Sequence, residues 1–240
     1  LQAFGSDVNG LVSSITQFLS VISFMDMGVG AVVESALYKP LAEQNEDSIS
    51  GIVWSANRFF RRIACIMLGY IVVLIFVFPQ VIGTEFDPLF IIGLILAMSI
   101  NSFAQYYYGI VNQLLLNAAQ QKYIVDIIQS GTLIINTIVC SILILIGQGI
   151  IAVKLTTSII FLLRPILLSI YVQRHFHINR KIKVACEPIK QEWNGLAQHI
   201  AAVVLDGTDT IVLTLFSTLS NVSIYAVYHL VVYGSKNMFL

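Results

Sequence analysis

Apolar positions in this chain come in long unbroken runs, without the alternation of a half-buried strand. Residues 63–84, 88–121 and 127–153 carry no charged side chain. At about 1.5 Å rise per residue, each run can cross a hydrocarbon core of about 30 Å as a helix. Residues 11–33 and 152–172 are nearly as apolar but carry Asp26 and Arg164. A sixth stretch, 196–216, carries Asp206 and Asp209, and a seventh opens near Val222 and runs to Leu240. The pattern predicts an all-α, polytopic transmembrane helix bundle.

Polar residues inside these runs fall at helical spacing. Ser23, Asp26, Gly30 and Glu34 recur at steps of three or four, as do Asn101, Gln105, Tyr108 and Asn112. His199, Asp206 and Asp209 share a face of the sixth stretch. An ionised carboxylate at mid-bilayer costs about 2.5 kcal/mol or more on insertion scales, so such groups normally face a bundle interior or a water-filled cavity. The spacing therefore nominates Asp26, Asn101, Gln105, Arg164, Asp206 and Asp209 as a substrate or ion pathway. For Asn101, Gln105 and Asn112, hydrogen bonding that merely joins helices is an equal reading. Asp206 and Asp209 lie within one turn. Their mutual repulsion and burial favour protonation of one, so they are the candidates for holding a coupling proton or sodium ion. Arg164 precedes Pro165, which removes a backbone donor and predicts a bend. Its guanidinium has three expected roles: pairing with a membrane aspartate, binding an anionic headgroup, or reaching toward the cytoplasmic interface.

Between the first two runs, Asp47 and Ser48 read as helix caps, followed by Ile49, Ile52, Val53, Ala56 and Phe60 at helical spacing. This predicts an amphipathic interfacial helix leading into the second span. Arg58, Arg61 and Arg62 at its end are candidates for contact with phosphate headgroups at the cytoplasmic face. An ordinary basic flank of a membrane helix is the plainer account.

Charge decides orientation rather than partner class. Charged residues make up 11% of the chain, against about 25% in soluble domains. The 13 basic and 13 acidic side chains leave no net field to attract nucleic acid. Lys39 with Arg58, Arg61 and Arg62, then Lys122, then Arg174, Arg180, Lys181, Lys183 and Lys190 occupy alternate loops, which the positive-inside rule places in the cytoplasm. Leu1 would then lie outside, and the expectation is of a piece cut at both ends, with at least one span before Leu1. A complete seven-span receptor is the rival reading. Cys65, Cys140 and Cys186 have no paired spacing and read as packing residues, so no metal site or cofactor is expected. No nucleophile elbow, zinc-protease helix, P-loop or dinucleotide fingerprint occurs, so no catalytic residue is nominated and the chain is not expected to be an enzyme.

The string MDMGVGAVVESALYKPLAEQNEDSISGIVWSANRFFRRI (residues 25–63) resembles the polysaccharide flippases of the multidrug/oligosaccharidyl-lipid/polysaccharide exporter superfamily. YYYGIVNQLLLNAAQQKYIVD (106–126) is similar to that family's LL-A-QK-Y segment. WNGLAQHIAAVVLDGTDTIVLTLF (193–216) with NVSIYAVYHLV (221–231) looks like the start of its second half. The resemblance implies twelve helices in two six-helix lobes. Residues 1–178 would be an N-terminal lobe lacking its first helix, 179–195 a cytoplasmic inter-lobe loop, and 196–240 the start of the C-terminal lobe. It further implies a multi-pass protein of the bacterial plasma membrane that exports undecaprenyl-pyrophosphate-linked oligosaccharide by alternating access, with that lipid-linked oligosaccharide and membrane lipids as partners. Export of lipid II or drugs within the superfamily remains open, as does a membrane-embedded glycan polymerase, although no loop is long enough for a catalytic domain. The resemblance also implies a basic substrate cavity, for which Arg164 is the deep cation expected here.

Overall fold

The computed structural model describes residues 4–22, 28–83, 86–176, 178 and 208–239, whose regular structure is helical throughout. In chain order the elements are α1 (Ser6–Ser20), α2 (Val29–Ala42), α3 (Glu46–Ile82), α4 (Pro88–Ala104), a π-helical turn (Gln105–Gly109), α5 (Ile110–Ala118), α6 (Lys122–Leu145), α7 (Ile150–His175), α8 (208–216) and α9 (Leu219–Phe239). Four segments, α3, α4 through α5, α6 and α7, are long and apolar enough to cross a membrane. The described residues are all-helical, and these segments suggest a multi-pass membrane protein.

Several boundaries differ from those the sequence predicts. The interfacial helix and the second span are one uninterrupted helix, α3, of 37 residues. Such a rod is about 55 Å long, well beyond the hydrocarbon thickness, so its first turns project past the bilayer. Its cap is neither Asp47 nor Ser48 but Asn45, whose side-chain oxygen accepts from the Ser48 N–H at 3.0 Å. Asn45→Ala is expected to destabilise that first turn by about 1 kcal/mol, measured as faster amide hydrogen exchange at Ser48. The run 127–153 is not one helix, because α6 ends at Leu145 and Gly147 takes φ 82° before α7 begins. That φ lies in the region that suits glycine, so the turn is encoded locally.

The expected first span, 11–33, is also not one helix. α1 stops at Ser20, and α2 begins after Gly28 at φ 75°. The two pieces pack at different levels along α3. Phe18 of α1 stacks edge-on against Phe78, and its carbonyl accepts from the Tyr70 hydroxyl at 2.8 Å, toward the C-terminal end of α3. α2 packs near the other end, where its Glu34 accepts from the Asn117 amide of α5 at 2.9 Å. Asp26, the acid that set this span apart, lies outside the described residues, as do Asp206 and the whole of 179–195.

α1 pairs most closely with α8 and α9. Ser6 and Ser220 hydroxyls meet at 3.0 Å, the Asn9 amide donates to Ser223 at 2.8 Å, and Ser14 meets Thr214 at 2.8 Å. Between them Gly10 lies directly against the Leu219 backbone, where a Cβ would collide. Small residues permit this approach, and in membranes such contacts replace the hydrophobic effect as the force between helices.

The core runs between α3, α4, α5 and α7, with Phe60, Met67, Leu94 and Leu115 fully buried. α6 lies outermost. Ile134 and Ile138 are more than half exposed, as lipid-facing residues should be.

Candidate functional site

The basic end of α3 opens onto a cavity of about 1170 Å³ between α3, the π-helical turn with α5, and the end of α7. Ala56, Phe60 and Met67 bury one stripe of α3. Trp54, Arg58, Arg61, Arg62 and Cys65, at steps of one to four residues, turn a different stripe into the cavity. Arg58 lies over the Trp54 ring at 5.5 Å from its centroid, one turn away along the helix. Arg61 reaches across to Tyr107 at 5.1 Å. Aromatic faces attract guanidinium groups while leaving their in-plane donors available.

Tyr107 is in place because the fourth helix bulges. The Ile110 N–H bonds to the Gln105 carbonyl, an i to i+5 step that inserts a residue into the helix. Tyr107 and the next residue, Tyr108, both line the cavity as a result, with their rings at 4.5 Å and Asn112 one turn on. The bulge presses on α7: a Cβ at Gly109 would lie 2.6 Å from the Gln105 side-chain oxygen and 3.1 Å from Pro165. α7 continues through Pro165 as a helix and contributes Ser169 and Gln173 to the cavity wall.

Among the described residues, three arginines and no Asp or Glu line this space. Like charges held together without a counter-charge favour an anion, and more so one with two or more negative charges. Hydroxyl and amide groups of Tyr108, Asn112, Ser169 and Gln173 supply neutral hydrogen-bonding partners around the same volume. The described residues contain no group of three or more His, Cys, Asp or Glu side chains able to hold a metal ion.

A second cavity of about 550 Å³ adjoins the first, and Tyr108 and Ser169 line both. Its remaining walls are almost wholly apolar, with Leu68 and Ile71 from α3, Leu96 and Phe103 from α4, and Leu162 and Ile166 from α7.

The structure thus brings together Arg58, Arg61 and Arg62 with Tyr108 and Asn112 of the third-run stripe. Of the other expected pathway residues that are described, Asn101, Gln105, Arg164 and Asp209 line neither cavity. The Gln105 amide donates to Gln113 at 3.1 Å, within its own helix. Asn101 lies one turn earlier on α4 and lines neither cavity. Arg164 points to α6: its Nε donates to the Thr132 hydroxyl at 2.7 Å, and its guanidinium sits 3.8 Å above the Phe161 ring. Asp209 accepts from the Tyr225 hydroxyl of α9 at 2.7 Å. Its expected partner Asp206 lies outside the described residues.

Sequence reading missed Tyr107, Ser169 and Gln173 as cavity residues. The QYYYG string at 105–109 is the local signal for the first, an aromatic triplet closed by glycine within an otherwise aliphatic run. Ser169 and Gln173 have no such signal, because only the packing of α7 against the bulge selects their face.

No protein-family model, curated protein or solved structure matches this chain.

Proposed function

We propose that this chain is part of a flippase that exports undecaprenyl-pyrophosphate-linked oligosaccharide across a bacterial plasma membrane for surface polysaccharide assembly. The observation that carries the reading is the cavity holding Arg58, Arg61 and Arg62, with no acid in its lining among the described residues, at the end of the helices where the loops are basic. A pyrophosphate is a compact, multiply charged anion, and three guanidinium groups offset it far better than they would a zwitterionic lipid. The positive-inside rule puts this end in the cytoplasm, where such a substrate would be loaded. The strings that resemble polysaccharide flippases supply the oligosaccharide. Under this reading residues 1–178 form the first lobe and 196–240 begin the second, the two rocking about a shared polar cavity. Asp206 and Asp209 would hold the coupling proton or sodium ion.

Cys65, exposed and in the cavity lining, serves as a reporter. In a background with Cys140 and Cys186 replaced by serine, undecaprenyl pyrophosphate is expected to slow alkylation of Cys65, while phosphatidylcholine does not. Arg58→Ala with Arg61→Ala should abolish that protection while Cys65 stays reactive. Equal protection by the zwitterionic lipid would remove the basis for this reading.

A further inference from the structure

We propose that the apolar second cavity seats the hydrocarbon chain of the same lipid whose phosphates the arginines hold. This rests on the function proposed above and adds a tail site inside the half of the molecule that carries the headgroup site. Three helices carry the same polarity gradient. Along α3 the lining passes from Arg58, Arg61 and Arg62 to Leu68 and Ile71. Along the fourth helix, read backwards, it passes from Asn112 through Tyr108 to Phe103 and Leu96. On α7, also read backwards, it passes from Gln173 through Ser169 to Ile166 and Leu162. Every wall changes from polar to apolar in the same direction, and two of them change at the residues the cavities share.

That arrangement fits an amphiphile with its charge at one end. Inorganic phosphate would leave the apolar cavity unused, and a zwitterionic phospholipid would offer the three arginines one phosphate whose charge its own ammonium offsets. Seating a chain here gains little from the hydrophobic effect, because lipid tails are as apolar as the cavity. The gain comes from tethering: a phosphate held by the arginines presents its own chain to the adjoining cavity at high effective concentration, which free lipids cannot match. A volume of about 550 Å³ lies within the range of pockets that enclose small ligands, so it holds the phosphate-proximal part of a long chain.

The test uses the full chain in phospholipid nanodiscs with undecaprenyl pyrophosphate carrying a photoactivatable diazirine near the phosphate end of its chain. Labelled positions are mapped by mass spectrometry. Label is expected at Phe103, Ala104 and Leu162, the less exposed residues of the cavity wall. Excess inorganic pyrophosphate, or Arg58→Ala with Arg61→Ala, should reduce it roughly tenfold by breaking the tether. Ser99→Leu, which narrows the cavity without touching an arginine, should reduce the label while pyrophosphate binding persists. Phosphatidylcholine bearing the same group in its acyl chain should label the outward residues Ile134 and Ile138 of α6 instead. The proposal is overturned if the cavity takes no label, if the label resists pyrophosphate competition, or if phosphatidylcholine labels the cavity equally. Calorimetry with inorganic pyrophosphate in the same nanodiscs separates the two ideas. Pyrophosphate binding without chain label there removes the tail site alone, whereas loss of both removes the headgroup reading as well.

Discussion

Replacing Gly10 with valine should force α1 away from α9 and abolish most contact between the two helices. The Leu219 backbone occupies the space a Cβ would need, and backbone cannot rotate aside as a side chain can. Overpacking of this kind costs about 1–3 kcal/mol, and moving a whole helix lies at the upper end. The Ser6–Ser220, Asn9–Ser223 and Ser14–Thr214 bonds would separate together, since all lie on the same interface. The reporter is a disulfide between Ser6→Cys and Ser220→Cys, whose native hydroxyls stand 3.0 Å apart. Its oxidation yield should fall roughly tenfold or more in the Gly10→Val background, as 1.4 kcal/mol is a factor of ten. Gly10→Ser provides a graded comparison. Unchanged yield in the valine variant would mean that α1 and α9 do not approach as closely as described.

Gly109→Val should have the second large effect, and on the cavity rather than the helix seam. The added side chain meets Gln105 within the bulge and Pro165 on α7. Gln105 can move, because its amide bond to Gln113 is an exchangeable contact between neutral groups. Pro165 cannot, being part of the α7 backbone ring and buried. Relief therefore requires α7 to separate from the bulge or the bulge to revert to regular helix, and either change displaces Tyr107 from beneath Arg61. At about 1–3 kcal/mol this cost leaves the membrane helices inserted while altering the cavity. The expected outcome is normal membrane abundance, a changed Cys65 alkylation rate, and loss of its protection by undecaprenyl pyrophosphate. Native protection at Cys65 would show that the bulge does not set the cavity.

The membrane-spanning class was legible in the sequence because it rests on run length, which needs no tertiary information. α3, the paired α4 and α5, and α6 follow from uncharged runs, and α7 from the run that carries Arg164. The failures have separate physical causes. Residues 11–33 have the apolarity of a span, but hydropathy does not register a backbone turn at Gly28, and so one expected helix became two. Asn45 lost to Asp47 and Ser48 in the cap assignment because all three residue types cap helices, and only geometry distinguishes them. For the site, Arg58, Arg61 and Arg62 were visible, but their role was not, since a basic flank looks the same whether it faces headgroups or a cavity. Tyr108 and Asn112 were separated from Asn101 and Gln105 by the π-helical step, which shifts the register of every residue beyond it. Arg164 was expected as a cavity cation because a lone intramembrane charge implies a partner, and the sequence does not reveal its contacts with Thr132 and Phe161.

The unbroken length of α3 ties two remote places mechanically. Arg58 and Arg61 stand in its first half, and Tyr70 and Phe78, which grip α1, stand in its second. A continuous helix transmits tilt with little bending, so its ends behave as the two arms of a lever. For a rod of about 55 Å, a tilt of about 5° about one end swings the other by roughly 5 Å, close to one helical pitch. Any shift that closes the arginines around a charge is therefore felt, through Phe78 and Phe18, by the helix that carries Gly10.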